Sequence, residues 1–201
     1  MALGIYTPNR KPIYSPNLLP ATSVFTDAVD INILVGPSGS SVDFDFNTGF
    51  VKPDASIKAY NTSNSTGLLF NLDTALTTVV TKTGVYYLSL ELKHNMPLSD
   101  MYADKLIVYV RVNGVQVYEM ECILNVESTN EQLHYPNVWG TYGQKFTLTA
   151  GNSIDFQFRL VTNTSKPLGT SLMWMDAIKL EFDDKALNLP SIYSLPLILT
   201  L

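Results

Sequence analysis

Asp43 and Asp45 stand two residues apart, each followed by a phenylalanine, Phe44 and Phe46. At that spacing both carboxylates project from one side of an extended strand. A carboxylate pair is the working unit of glycoside hydrolysis, but its two members must flank the scissile bond across a cleft. Alternation with phenylalanine instead marks these two as the exposed side of a strand. A second group is aromatic. Tyr135, Trp139 and Tyr142 fall among polar residues in the stretch 132–144. Rings beside hydrogen-bonding neighbours suit the apolar faces of pyranose sugars, so these three are candidate glycan contacts. Loop aromatics equally serve as lids over a sandwich end or as interface anchors. Asp176 interrupts an apolar stretch. A buried carboxylate needs partners, so the expectation is that it bonds backbone amides of a loop or that a bulge turns it outward.

Other chemistry is absent from the pattern. His94 and His134 are the only histidines and form no metal-ligand spacing. There is no Gly-x-Ser-x-Gly elbow and no phosphate-cradling glycine loop. The expectation is therefore a protein without catalytic residues, metal or cofactor. Cys122 is the single cysteine, so no internal disulfide forms. It lies in the apolar run 118–124, where a small buried hydrophobe fits better than a reactive thiol, and the pattern fits folding in a reducing cytosol.

Composition narrows the class further. Hydrophobic residues make up 46% of 201, enough for a core, and charged residues only 15%. A surface so poor in charge is either thinly solvated or covered by partners. The net charge of -5 without a basic cluster excludes a nucleic-acid footprint and an anionic membrane surface. The opening Met-Ala-Leu-Gly lacks the layout of a signal peptide, and no apolar run is long enough to span a bilayer as a helix.

The elements that must carry these groups read as strands. Strands are expected at 28–35, 42–46 and 56–62, followed by 68–80 without a clean period. From residue 84 the alternation is clear. Tyr86, Leu88, Leu90 and Leu92 share one face, opposite Tyr87, Ser89, Glu91 and Lys93. Leu106, Val108, Val110 and Val112 repeat the pattern before Asn113-Gly114, a strong hairpin-turn signal. Strands at 115–126, 145–149, 153–160 and 172–182 follow. In the last, Trp174, Ile178, Leu180 and Phe182 are expected on one face, with Met173, Met175 and Ala177 opening the other. A strand apolar on both faces asks to be covered twice.

The chain ends are different. Pro8, Pro12, Pro16 and Pro20 recur every fourth residue, which suits neither helix nor central strand. Residues 1–27 read as an extended arm, 28–184 as the folded domain, and 185–201 as an apolar C-terminal arm. Ile5, Tyr6, Ile13, Tyr14, Leu18 and Leu19 are too apolar for a free tail. They are candidate partner contacts, as are Met173 and Met175. The N-terminal arm either docks on another chain or wraps its own domain.

The order of signals resembles the jelly roll of complement-type globular heads and tumour necrosis factor. Gly84-Val85-Tyr86-Tyr87, Asn113-Gly114 and Leu148-Thr149-Ala150-Gly151-Asn152 follow that family's grammar over residues 42 to 182. The closing Trp174-Met175-Asp176-Ala177-Ile178 lacks the family's Phe-x-Gly-Phe and is similar instead to the last strand of carbohydrate-binding jelly rolls. Both relatives imply an all-β antiparallel jelly-roll sandwich of about eight to ten strands. The first implies a homotrimer. A charge-poor jelly roll with two docking arms fits a non-enzymatic bacteriophage virion component, folded in the host cytoplasm: capsid decoration, tail fibre or receptor-binding part. Its partners would be itself, other virion proteins and a surface glycan, without nucleic acid or membrane. A carbohydrate-binding module is the alternative.

Overall fold

The computed structural model describes residues 18–19, 31–50, 55–62, 67–72, 76–96, 104–124, 137–162 and 172–183. Among them are eleven strands and no helix: β1 (Ile31–Val35), β2 (Ser41–Asp45), β3 (Ser56–Tyr60), β4 (Leu68–Leu72), β5 (Thr78–Val79), β6 (Gly84–His94), β7 (Lys105–Val112), β8 (Val115–Ile123), β9 (Gly140–Leu148), β10 (Ser153–Val161) and β11 (Leu172–Phe182). One sheet runs β1-β4-β10-β7-β8, with β5 also on β10, and the other runs β2-β3-β11-β6-β9.

The pairings are nested. β7 pairs with β8, β6 with β9, β4 with β10 and β3 with β11, all antiparallel. This is one long hairpin rolled into two facing sheets, the jelly-roll connectivity. Its tip is the turn where Asn113 (φ 51) and Gly114 (φ 81) both take positive φ, as a two-residue hairpin of that type requires. β1 and β2 extend the roll at its edges.

Alternation put the core where it was expected over most of the roll. Tyr86, Leu88, Leu90 and Leu92 of β6 are buried, as are Leu106, Val108 and Val110 of β7 and Ile154, Phe156, Phe158 and Leu160 of β10. Phe70 and Phe158 stack across neighbouring strands with centroids 5.4 Å apart.

The closing strand departs from expectation. Met173, Met175, Ile178, Leu180 and Phe182 all enter the same core. Register against β6 slips between Asp176 and Lys179, and Ala177 there has φ 49. An inserted residue at a β-bulge shifts the side-chain alternation, so two apolar sets that strict alternation assigns to opposite faces share one. Met173 and Met175 are fully buried by their own chain and do not form a face for a partner. The second apolar face inferred from sequence is absent: away from the core the strand presents Trp174, Asp176, Lys179 and Glu181, of which only Asp176 is buried.

The N-terminal arm also departs from the expectation of a partner contact where it is described. β3 pairs with β11 only over Leu172–Met175, and among the described residues no other strand pairs with the second half of β11 on that side. Leu18 N–H donates to the Leu180 carbonyl at 2.9 Å, and Thr78 Oγ1 donates to the Leu18 carbonyl at 3.0 Å. Leu19 is 5% exposed, inside the core. Leu18 and Leu19 thus bind the domain that carries them, tying β11 of one sheet to β5 of the other. Ile5, Tyr6, Ile13, Tyr14 and the segment 185–201 lie outside the described residues.

Leu19→Ala is expected to cost about 2–5 kcal/mol, as for other buried leucines. Deleting residues 1–22 should lower the melting temperature by roughly 2–4 °C per kcal/mol lost, measured by circular dichroism. An unchanged melting temperature would show that the Leu18–Leu19 contact contributes nothing.

Candidate functional site

The outer face of the five-stranded sheet carries the aromatic chemistry. β11 lies between β3 and β6, and its Trp174 faces Lys58 on β3 and Lys93 on β6. Lys93 Nζ sits 5.3 Å from the indole centroid, a cation–π distance. Trp174 Nε1 donates to Asp45 Oδ2 at 2.9 Å, so the indole is held at both its face and its edge. Asp45 Oδ1 also accepts from Asn47 N–H at 2.9 Å. Burial pushes the Asp45 carboxyl up, but the bonds from Trp174, Asn47 and Thr48, with Lys58 nearby, outweigh it and leave its pKa below the ordinary value. Asp45 therefore anchors an indole and a turn, while Asp43 is exposed on the same side of β2.

Asp176 builds the rest of the face. It is fully buried. Its Oδ2 accepts from Phe50 N–H at 2.7 Å and its Oδ1 from Ala177 N–H at 2.6 Å. The first sequence expectation for it is met, since it bonds a loop amide; a bulge does lie beside it, but Asp176 stays fully buried rather than turned out to solvent. The first bond pulls the loop after β2 across the sheet to β11. There the Phe50 ring, 45% exposed, meets Trp139 edge-on, with centroids 5.8 Å apart. Trp139 directly precedes β9, so the loop reaches the far side of the sheet. Beside it, Thr141 Oγ1 donates to Glu91 Oε1 at 2.7 Å. Further along, Tyr87 lies over β9 where Gly143 has no side chain; a Cβ at Gly143 would overlap the tyrosine hydroxyl.

Of the two described aromatic residues singled out by sequence, Trp139 joins this face and Tyr142 does not. Tyr142 points toward the core, its hydroxyl donating to the Ile123 carbonyl. Burial, and then Cys122, raise its pKa. It is a packing residue and is withdrawn as a glycan contact. Tyr135 lies outside the described residues. Sequence reading missed Trp174, Lys93 and Phe50. The available signal was a tryptophan between two core methionines, an outward position on a central strand. Cys122 is buried, and desolvation followed by Glu121 raises its thiol pKa, as expected of an inert core thiol. His94 is buried, and its Nδ1 accepts from Met96 N–H at 3.2 Å. Among the described residues no three His, Cys, Asp or Glu side chains cluster as a metal site, and no helix is long and apolar enough to cross a membrane.

No protein-family model and no curated protein matches this chain. Solved structures do. The enzymatically active domain of bacteriophage CBA120 tailspike protein 4 aligns over 82% of this chain at 9% identity and a TM-score of 0.49, spanning 21% of that chain. A family 16 carbohydrate-binding module aligns over 71% of this chain and 86% of its own, at 14% identity and a TM-score of 0.41. A carbohydrate-binding module of Cellvibrio mixtus lichenase 5A, in complex with cellotriose, aligns over 72% and 87%, at 13% identity and 0.41. At these values the likeness is one of β-sandwich fold. The narrower likeness to complement-type heads is not established by these neighbours.

Asp45 has a lowered folded pKa, so its contribution is complete above the ordinary value of 3.8 and is lost as pH falls through the folded pKa. In a Trp139→Phe variant, which isolates Trp174, indole emission should stay flat from neutral pH down to 3.8 and change only below it. A transition centred above that value would contradict the Asp45–Trp174 bond. At the bulge, Asp176→Asn turns one acceptor into a donor facing an amide donor and should cost about 1–3 kcal/mol. Ala177→Gly should be neutral or stabilising by up to ~1 kcal/mol, since positive φ suits glycine. Urea unfolding measures both; a destabilising Ala177→Gly would refute the strain.

Proposed function

We propose that this chain is a non-enzymatic structural component of a bacteriophage virion, a decoration, fibre or receptor-binding sandwich that assembles through the edges of its six-stranded sheet. One observation carries the reading. β1 and β8 are the end strands of that sheet, and both expose large apolar side chains, on β8 interleaved with Gln116, Glu119 and Glu121. Ile33, Leu34 and Val35 are 47%, 45% and 51% exposed on β1, and Val115, Val117 and Ile123 are 66%, 51% and 39% exposed on β8. Both strands carry a register shift of the kind that blunts an edge, between Ile33 and Val35 in β1 and opposite Val110–Arg111 in β8, yet these apolar side chains stay open beside it. Edges left this way suit a protein whose neighbours cover them. The low charge fraction of 15% agrees with such cover. The partners are copies of the chain, with a homotrimer as the expected order, and other virion proteins, so the working location is the virion after folding in the host cytoplasm.

A second reading, a carbohydrate-binding module, is favoured by the outer aromatic face. Trp174 between Lys58 and Lys93, beside the Phe50–Trp139 pair, offers rings for the apolar side of a pyranose and charged groups for its hydroxyls. The two readings meet in a receptor-binding virion part, where edges assemble and the face engages a surface glycan.

Multi-angle light scattering of the full chain at micromolar concentration is expected to give an oligomer. Val35→Lys and Val117→Lys should shift it toward monomer with stability changed by no more than about 0.5 kcal/mol, the usual range for surface substitutions. A monomer with both edges intact would overturn the assembly reading and favour the module. For the module, Trp174→Ala or Trp139→Ala should weaken retention on a polysaccharide affinity gel about tenfold or more, ~1.4 kcal/mol, and no retention of the unaltered chain on any gel would remove that reading.

A further inference from the structure

The two sides of the sandwich are closed differently. On one side the end strands of the two sheets, β8 and β9, are latched together. The Tyr118 hydroxyl donates to the Thr147 carbonyl at 2.7 Å, and the Tyr142 hydroxyl to the Ile123 carbonyl. On the other side the end strands β1 and β2 approach each other, and large apolar side chains stand open. Ile33, Leu34 and Val35 are about half exposed, and Phe46, just past β2 and stacked on Phe44, is 61% exposed. Ile33 lies opposite Phe70 and Phe44 opposite Ile57, and Phe70 and Ile57 belong to the core. The seam between β1 and β2 thus borders the core. Among the described residues no strand pairs with the outer edge of either.

We propose that this seam takes residues 195–201 of a neighbouring copy as an added strand, an inference that rests on the assembly reading and supplies its partner. That segment, outside the described residues, reads Leu-Pro-Leu-Ile-Leu-Thr-Leu, with Leu195, Leu197, Leu199 and Leu201 at alternate positions. An extended chain puts all four on one face. β2 keeps an unbroken register with β3, so its free edge can continue the ladder, as when a peptide adds to a sheet. The four leucines then cover Phe44 and Ile33, while Pro196, Ile198 and Thr200 face outward beside Asp43.

The composition of the segment selects this place. From Ala186 to Leu201 there is no charged side chain, and β1 has none, so docking buries no charge. Pro196 lacks an N–H, which an edge strand tolerates and a central strand does not. β8 suits the segment less, because Glu119 and Glu121 stand along it and its side of the sandwich is latched. Residues 1–17 suit the seam less, because Pro8, Pro12 and Pro16 remove ladder donors at every fourth position.

Reach favours a neighbour over the same chain. Asp43 and Trp174 both lie opposite Lys58, so the seam is level with the start of β11. The chain leaves β11 at its other end, where Asp183 N–H donates to the Val85 carbonyl at 2.8 Å. The run from Trp174 to Asp183 is about 26–30 Å at the rise of a strand, and the seam lies beyond β3 and β2 as well. Residues 184–194 span at most about 36–40 Å. A return to their own seam would need them almost straight, whereas a neighbour can be met in any direction.

Disulfide trapping in the full-length chain tests it, since a bridge forms only when the Cα atoms come within about 7 Å. Cys122 is fully buried and stays out of the reaction. Asp43→Cys is mixed, under mild oxidation, with Pro196→Cys, Ile198→Cys or Thr200→Cys carrying a mass tag. At least one mixture should give a mixed dimer. Val79→Cys, exposed on β5 away from the seam, should give none. Leu197→Asp with Leu199→Asp should shift the chain toward monomer and leave its melting temperature unchanged. An oligomeric unaltered chain that gives no mixed dimer overturns the proposal and leaves the assembly reading standing. A monomeric unaltered chain overturns both. A bridge formed only inside double variants, such as Asp43→Cys with Thr200→Cys, and never between single variants, assigns the segment to its own domain and overturns the proposal. Equal trapping by Val79→Cys reports random collision and also overturns it.

Discussion

The fold turns on one carboxylate. Asp176 is withdrawn from water at the middle of a central strand, where an unpaired charge would be costly. It is stabilised by two short amide bonds, from Phe50 and Ala177. The Ala177 bond holds a backbone conformation that alanine rarely adopts. That conformation belongs to the bulge, and the bulge decides which residues of β11 reach the core. With it, Met173 and Met175 enter from one side of the kink, and Ile178, Leu180 and Phe182 from the other. Without it, one set would face solvent.

The same kink shapes both surfaces of the sheet. β3 follows β11 only as far as Met175, and beyond it the Leu180 carbonyl accepts from the Leu18 N–H of the arm. Leu19 then fills a core position that the sandwich strands leave open. On the outer side, the second Asp176 oxygen holds the Phe50 amide and thereby the Phe50–Trp139 ring pair. Core filling, arm docking and the aromatic face thus share a single buried group.

The two sheets present different surfaces. The five-stranded sheet presents aromatic rings held in place by hydrogen bonds and a lysine. The six-stranded sheet presents apolar edges at its ends. One sandwich can carry both because its core is closed by the nested pairing and needs neither of those surfaces.

The sequence by itself determined the sandwich. Period-two alternation in 85–93, 106–112, 153–160 and 172–182 located the long strands, and Asn113-Gly114 located the tip of the roll, because both signals are local to the backbone. It also marked Asp176 as a group in need of partners and Phe156 and Phe158 as core. It misplaced the start of β9, where Gly140 and Gly143 interrupt the alternation, and it did not separate β4 from β5, where the period is broken. Tertiary structure alone decided the rest. Alternation assigns faces only while the period holds, and one extra residue at Ala177 reversed the assignment of Met173 and Met175. The donor that Asp176 required came from Phe50, 126 residues away in the chain, a distance over which no spacing rule operates. The cis docking of Leu18 and Leu19 depended on a strand edge exposed by that bulge, so no property of the arm could reveal it.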